Sequence, residues 1–170
     1  FIGAYSQTTL TEKDGAAFWL GTPPAGVPVD MSPLDALRKS VSHLKSPKIA
    51  GLPTLTGGLV GYMGYDCVRS LERIPELAQK DIALPEIAFM LTSDLAVMDH
   101  AEGTITLIAN AINWDGSNER IDEAFNDAQL RLDRMQSDLQ GSLPAYIDQI
   151  PERQTPQFTQ NISSDEFKSK

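Results

Sequence analysis

Between Leu55 and Asp66 the chain reads Leu-Thr-Gly-Gly-Leu-Val-Gly-Tyr-Met-Gly-Tyr-Asp, an apolar and aromatic run interrupted by four glycines. Each glycine costs a helix about 1 kcal/mol relative to alanine, so this density rules out a stable helix. An extended strand fits. Alternation then puts Leu59, Gly61, Met63 and Tyr65 on one face and Val60, Tyr62 and Gly64 on the other. Glycine inside a strand marks a bulge, or a place where a second backbone or a ligand comes close. Gly57, Gly58, Gly61, Tyr62, Gly64, Tyr65 and Asp66 are therefore the candidate contact residues, facing either a ligand or another domain.

The flanking sequence predicts an α+β fold with mostly antiparallel strands and helices packed outside. Phe1 to Tyr5 reads as the end of a strand, and Phe18-Trp19-Leu20 as a second strand closed by a Gly/Pro-rich loop up to Pro28. A helix over about 32–45 opens at Ser32, with Pro33 at its first position and Asp35 in its first turn. Leu34, Leu37, Val41 and Leu44 form its core stripe, and His43 reads as a solvated side chain at the helix end. Residues 69–80 read as a short helical or looped excursion broken at Pro75. Ile87 to Leu91 is a buried strand. Leu95 to Met98 and Thr104 to Asn110 form a hairpin across Asp99 to Gly103.

Trp114-Asp115-Gly116 is a turn, with Ser117 or Asn118 capping a long amphipathic helix to about residue 139. Its core stripe is Ile121, Ala124, Phe125, Ala128, Leu132, Met135 and Leu139. From Gly141 on, Pro144, Pro151 and Pro156 punctuate a polar linker, which divides the chain into a domain at 1–140 and a linker with a helix start at 141–170. Ser163 and Glu166 have the spacing of a capping box. A helix start with four residues behind it, and an opening without Met, lead to the expectation of a longer natural polypeptide.

The 23 acidic and 14 basic residues leave a formal charge of -9, which repels phosphate backbones and anionic lipid surfaces. Nucleic acid and membrane are not expected partners. Without a long apolar run or a basic leader followed by an apolar stretch, the expected compartment is the cytoplasm. Cys67 is the only cysteine, so neither an internal disulfide nor a Cys-rich zinc site can form. No base stands beside Cys67 in the sequence, which favours a small buried hydrophobe over a nucleophile. No P-loop, GxGxxG, HExxH, GxSxG or EF-hand spacing occurs. Asp94, Asp99, His100 and Glu102 crowd the hairpin, but they read as a solvated turn rather than a metal site. No catalytic residue and no metal ligand is predicted.

The stretch Thr56 to Asp66, followed by Val68-Arg69 and Leu71-Glu72-Arg73-Ile74-Pro75, resembles the GGLVGYxGYDxVRxxExxP signature of anthranilate synthase component I. Leu95 to His100 is similar to that family's strand before its DH turn, Phe1-Ile2-Gly3 to the tail of its RYSFIG segment, and Ser163 to Phe167 to the helix start of its chorismate-binding half. The resemblance implies a parent enzyme that converts chorismate and ammonia, or glutamine through an amidotransferase partner, into anthranilate and pyruvate with Mg2+. It implies that the Mg2+ and chorismate ligands lie outside residues 1–170. These residues would then be the N-terminal, regulatory-side scaffold, inactive alone, with the C-terminal catalytic half as partner and tryptophan as effector of the whole enzyme. The large subunit of aminodeoxychorismate synthase and a stand-alone small-molecule binding module are the alternatives.

Overall fold

The computed structural model describes residues 6–75, 77, 82–142, 157 and 159–169. The chain divides into two compact units, 1–140 and 141–170. In the first, the element order is β1 (Thr9–Lys13), β2 (Ala16–Leu20), α1 (Pro33–His43), β3 (Gly58–Met63), a 3-10 helix (Tyr65–Ser70), β4 (Ile87–Thr92), β5 (Asp94–Asp99), β6 (Thr104–Ala109) and α2 (Ile121–Gln140). All strand pairs are antiparallel. Four strands form one sheet in the order β2-β1-β4-β3, and β5 and β6 form a separate two-stranded sheet. The architecture is α+β, as expected.

Strand β1 and its hairpin with β2 were not foreseen. The turn is Asp14-Gly15, whose φ angles of 53° and 79° put both residues in the left-handed region that a two-residue turn matched to strand twist requires. The inner face of the four-stranded sheet gathers Leu10, Trp19 and Ile87, with Ala17, Val27 and Ala36, into the core. Two buried polar groups are satisfied within it. The Thr11 hydroxyl donates to Ile87 O at 2.9 Å and that of Thr8 to Leu20 O at 2.9 Å. Trp19 Nε1 donates to Pro28 O at 2.8 Å, tying the Gly/Pro loop to β2.

Helix α1 is capped as its sequence demands: Ser32 Oγ accepts from Asp35 N, and Pro33 opens the helix. Its buried face differs from the expected leucine stripe. Ala36 and Ser40 are fully buried, whereas Val41 is 54% exposed. Small side chains on the contact line let the helix axis approach β1 and β2 closely, and Leu37 and Leu44 pack at its flank. His43 is not simply solvated; its Nε2 lies 2.9 Å from Ala25 O.

The α2 cap is also corrected. Asn113 Oδ1 accepts from Gly116 N and Asp115 Oδ1 from Ser117 N, both at 2.9 Å, so the turn uses its own side chains. The helix therefore begins later, with Ala124 N bonded to Arg120 O, and neither Ser117 nor Asn118 caps it. Of the expected stripe, Ala128 is buried, but Ile121, Phe125 and Leu139 are each more than half exposed.

In the second unit, the described residues hold one element, α3 (Ser164–Ser169). Glu166 N donates to Ser163 Oγ at 3.2 Å, the first half of the expected capping box. The expected strand at Phe1 to Tyr5 and the linker prolines Pro144, Pro151 and Pro156 lie outside the described residues.

Candidate functional site

The glycine ribbon is a strand, and among the described residues it lies at the edge of its sheet: β3 pairs with β4 from Gly58↔Thr92 to Met63↔Ile87 and with no other described strand. The candidate residues fall into three groups. At the entrance, Gly57 and Gly58 have φ of +157° and +131°, a region open to glycine. A Cβ on Gly57 would stand 2.6 Å from Asn110 Nδ2, while one on Gly58 would meet nothing within 4 Å. In the strand, a Cβ on Gly61 would collide with Ala88 O and lie 2.7 Å from Ala88 C and Phe89 Cα. At the exit, a Cβ on Gly64 would be 3.3 Å from Glu86 O, the atom that accepts the Gly64 amide at 2.7 Å. Gly61 is thus required by the backbone of β4, and Gly57 by its φ and by Asn110, whereas a Cβ on Gly64 would ask Glu86 to give by only a few tenths of an ångström.

The aromatic and acidic members of the ribbon diverge. Tyr62 Oη donates to Pro85 O at 3.1 Å, whereas Tyr65 is 92% exposed. Asp66 Oδ1 accepts from Arg69 Nε at 2.9 Å, and Arg69 Nη1 reaches Ile74 O and Pro75 O at 3.0 and 2.9 Å. This arginine folds the 3-10 turn back on the segment leading to Pro75. Cys67 is half-buried and its Sγ donates to Glu86 O at 3.3 Å. Desolvation, then the Glu86 carboxylate, push its thiol above the usual range, which disfavours the thiolate a nucleophile needs.

A polar node that the sequence did not announce fixes the ribbon's entrance. Asn110 Nδ2 donates to Thr56 O at 2.7 Å and to Ser93 O at 2.9 Å. Arg131 on α2 donates through Nη2 to Asn110 O at 2.9 Å, through Nε to Asp127 at 2.9 Å, and pairs with Asp94 through Nη1. Ser93 is the single residue between β4 and β5, so the node sits where the two sheets join. The sequence signals were slight: Asp127 and Arg131 at the i,i+4 spacing of a helical ion pair, and an asparagine at a strand end.

Beside α2 an open cleft of about 580 Å³ is lined by Trp114, Asp115, Arg120, Glu123 and Asp127, among others. Its cation is already engaged: Arg120 pairs with Glu123 at 2.7 Å and Asp115 at 3.6 Å. The hairpin carboxylates are not gathered into a metal site either. Asp99 Oδ1 accepts the amides of Ala101 and Glu102 at 2.8 and 3.2 Å, a turn-capping task. Among the described residues, no group of three or more His, Cys, Asp and Glu side chains is placed to hold a metal ion. No helix among the described residues is long and apolar enough to cross a membrane.

The described part of residues 1–140 is an antiparallel α+β unit whose four-stranded sheet ends at the uncharged strand β3. A sequence profile for the family described as chorismate binding enzyme matches residues 2–170, and the chain belongs to that family. It is 56% identical over 135 residues to anthranilate synthase component 1 of Mycolicibacterium smegmatis, a match covering 79% of this chain and 26% of that protein. Anthranilate synthase component 1 of Arthrobacter globiformis is 52% identical over 132 residues, covering 78% and 25%. The chain therefore spans about a quarter of the length of these relatives. The crystal structure of anthranilate synthase component I from Streptococcus pneumoniae shares the fold, with a TM-score of 0.59, 23% identity, and coverage of 83% of this chain and 29% of that one.

Proposed function

We propose that residues 1–170 are an N-terminal portion of an anthranilate synthase component I, and that the whole polypeptide makes anthranilate and pyruvate from chorismate and ammonia. Glutamine would supply the ammonia through an amidotransferase subunit, and the reaction would be a lyase reaction in the cytoplasm. The observation that carries this reading is the 56% identity to a protein of that name over four-fifths of the chain. In this reading, metal and chorismate binding would fall to the part of the polypeptide outside residues 1–170. What this portion contributes is scaffold, with the node at Asn110 and Arg131 holding the glycine strand, and its share of the regulatory side in an enzyme inhibited by tryptophan. Chorismate and an ammonium salt given to the purified full-length protein should yield the blue fluorescence of anthranilate, dependent on Mg2+. A 4-amino product without anthranilate, or no turnover, would refute the assignment. Residues 1–170 alone should give no product.

A further inference from the structure

We infer that the Gly/Pro-rich loop between β2 and α1 is a strap that makes the C-terminal end of α1 and the turn ahead of α2 open and close together, with Ala25 as its buckle. The two helices lie on different sheets: α1 packs on β1 and β2, and α2 on β6. Ala25 is held at both of its backbone groups. Its amide donates to Trp114 O at 2.9 Å, in the turn ahead of α2. Its carbonyl can only accept, so the imidazole of His43, the last residue of α1, donates to it through Nε2 at 2.9 Å. Two glycines make room for these contacts. A Cβ on Gly26, whose φ is +83°, would stand 2.6 Å from His43 Nε2, and one on Gly116, whose φ is +72°, would stand 3.1 Å from Ala25 Cβ. The helix end and the turn therefore close on the strap more tightly than other residues would permit. The strap is also fixed at its base. Trp19 Nε1 donates to Pro28 O and Ala17 N to Met31 O, both at 2.8 Å, and Val27 is buried in the core of the first sheet. With its base anchored on β2, a shift of one neighbour is passed to the other through Ala25. Thr22 of the strap and Asn113, Trp114 and Asp115 of the turn line the cleft beside α2, so the last turn of α1 governs where that wall of the cleft stands.

Hydrogen exchange of the full-length protein, read residue by residue along a series of low denaturant concentrations, tests the strap. The amides to follow are those of Ala25, of Leu44, which closes α1 on Ser40 O, and of Gly116 and Ser117, which the turn's own side chains accept. They should open in one step, distinct from the opening of the β5–β6 hairpin. His43→Ala should speed exchange at Ala25 and, across the strap, at Gly116 and Ser117 by about five- to tenfold, the effect of one lost hydrogen bond. Amides of the β5–β6 hairpin should keep their rates. His43→Gln, which retains a donor at the end of the side chain, should restore most of the protection. Faster exchange at Ala25 with Gly116 and Ser117 unchanged would overturn the inference. A rise of equal size throughout β5 and β6 would do so as well, since it would mark a general loss of stability. If His43→Ala fails to fold, the unmodified protein decides alone: separate openings for Ala25 and for the turn would dismiss the strap.

Discussion

Replacing Gly61 with alanine separates a role inside the sheet from a role in meeting other protein. The new Cβ would run into Ala88 O and stand 2.7 Å from Ala88 C and Phe89 Cα, all backbone of β4. Because β4 is held on its far side by β1, the conflict is relieved by β3 moving away by on the order of 1 Å, enough to stretch its ladder bonds beyond useful length. Two such bonds at about 1 kcal/mol each, with about 1–3 kcal/mol of overpacking, give roughly 3–5 kcal/mol. Reduced freedom of the unfolded chain returns about 0.4–1 kcal/mol. The net expectation is a loss of about 2–4 kcal/mol, lowering a urea midpoint by about 1–2 M for an unfolding slope of about 2 kcal/mol/M. Trp19, 7% exposed and on the same sheet, is the fluorescence probe. Gly58→Ala is the control: it meets no atom within 4 Å and costs only the strain of a φ of +131°, about 1–3 kcal/mol. A Gly61→Ala chain with an unchanged midpoint would refute the steric reasoning.

Other substitutions test the remaining parts of the scaffold. Gly15→Ala should cost about 1–2 kcal/mol through its φ of 79° alone, with nothing for the methyl to strike, and a thermal melt unchanged by it would count against the hairpin turn. Arg131→Met strands Asp94 and Asn110 O and should cost about 2–3 kcal/mol. Arg38→Met, which breaks an exposed pair with Asp35, should cost less than about 1 kcal/mol in the same melt; equal losses would dismiss the node. Since burial raises the Cys67 thiol, its reaction with a disulfide reagent near pH 8 should be about tenfold slower in the native chain than in urea. The thiol form is favoured by folding, so its contribution is complete below the unfolded value and fades as pH rises towards the folded one; comparable reaction rates would exclude this. The Ser117 amide, first among its partners, holds the Asp115 carboxyl below its ordinary range. Its stabilising effect is therefore present above the unfolded value and lost as pH falls through the lowered folded one; an ordinary titration midpoint by NMR would contradict the turn geometry.

Much of this fold is legible where one physical signal dominates. Ser32, Pro33 and Asp35 announce the start of α1, and Asp99 to Gly103 announces the turn between β5 and β6, because caps and left-handed glycines act locally. Strand β1 is harder to read: its sheet contacts include Thr8 and Thr11, buried hydroxyls that binary patterning counts as polar. Only Asp14-Gly15 betrays it. Helix α1 misleads because leucine spacing marks the apolar arc, whereas the line of closest approach belongs to Ala36 and Ser40. The start of α2 misleads because Asn113 and Asp115 accept the amides of Gly116 and Ser117, which holds this stretch as a turn, and the helix starts only at Ile121. The node at Asn110 is illegible for a different reason: it joins Thr56, Ser93 and Arg131 from distant stretches of chain.

The ribbon itself shows why glycine spacing is a weak guide to a binding face. Three of its glycines answer to atoms of their own unit: Gly57 to Asn110, Gly61 to Ala88 and Gly64 to Glu86. Contact with a catalytic half is not needed to explain them, and alanine there would report on the sheet before it reported on docking. Gly58 differs, with open space around it and a backbone angle as its sole requirement. Among the described residues β3 pairs on one side only, with β4, and Tyr65 and Leu71 after it are exposed. The glycines of the ribbon therefore serve mainly to build the strand and its turns within this unit.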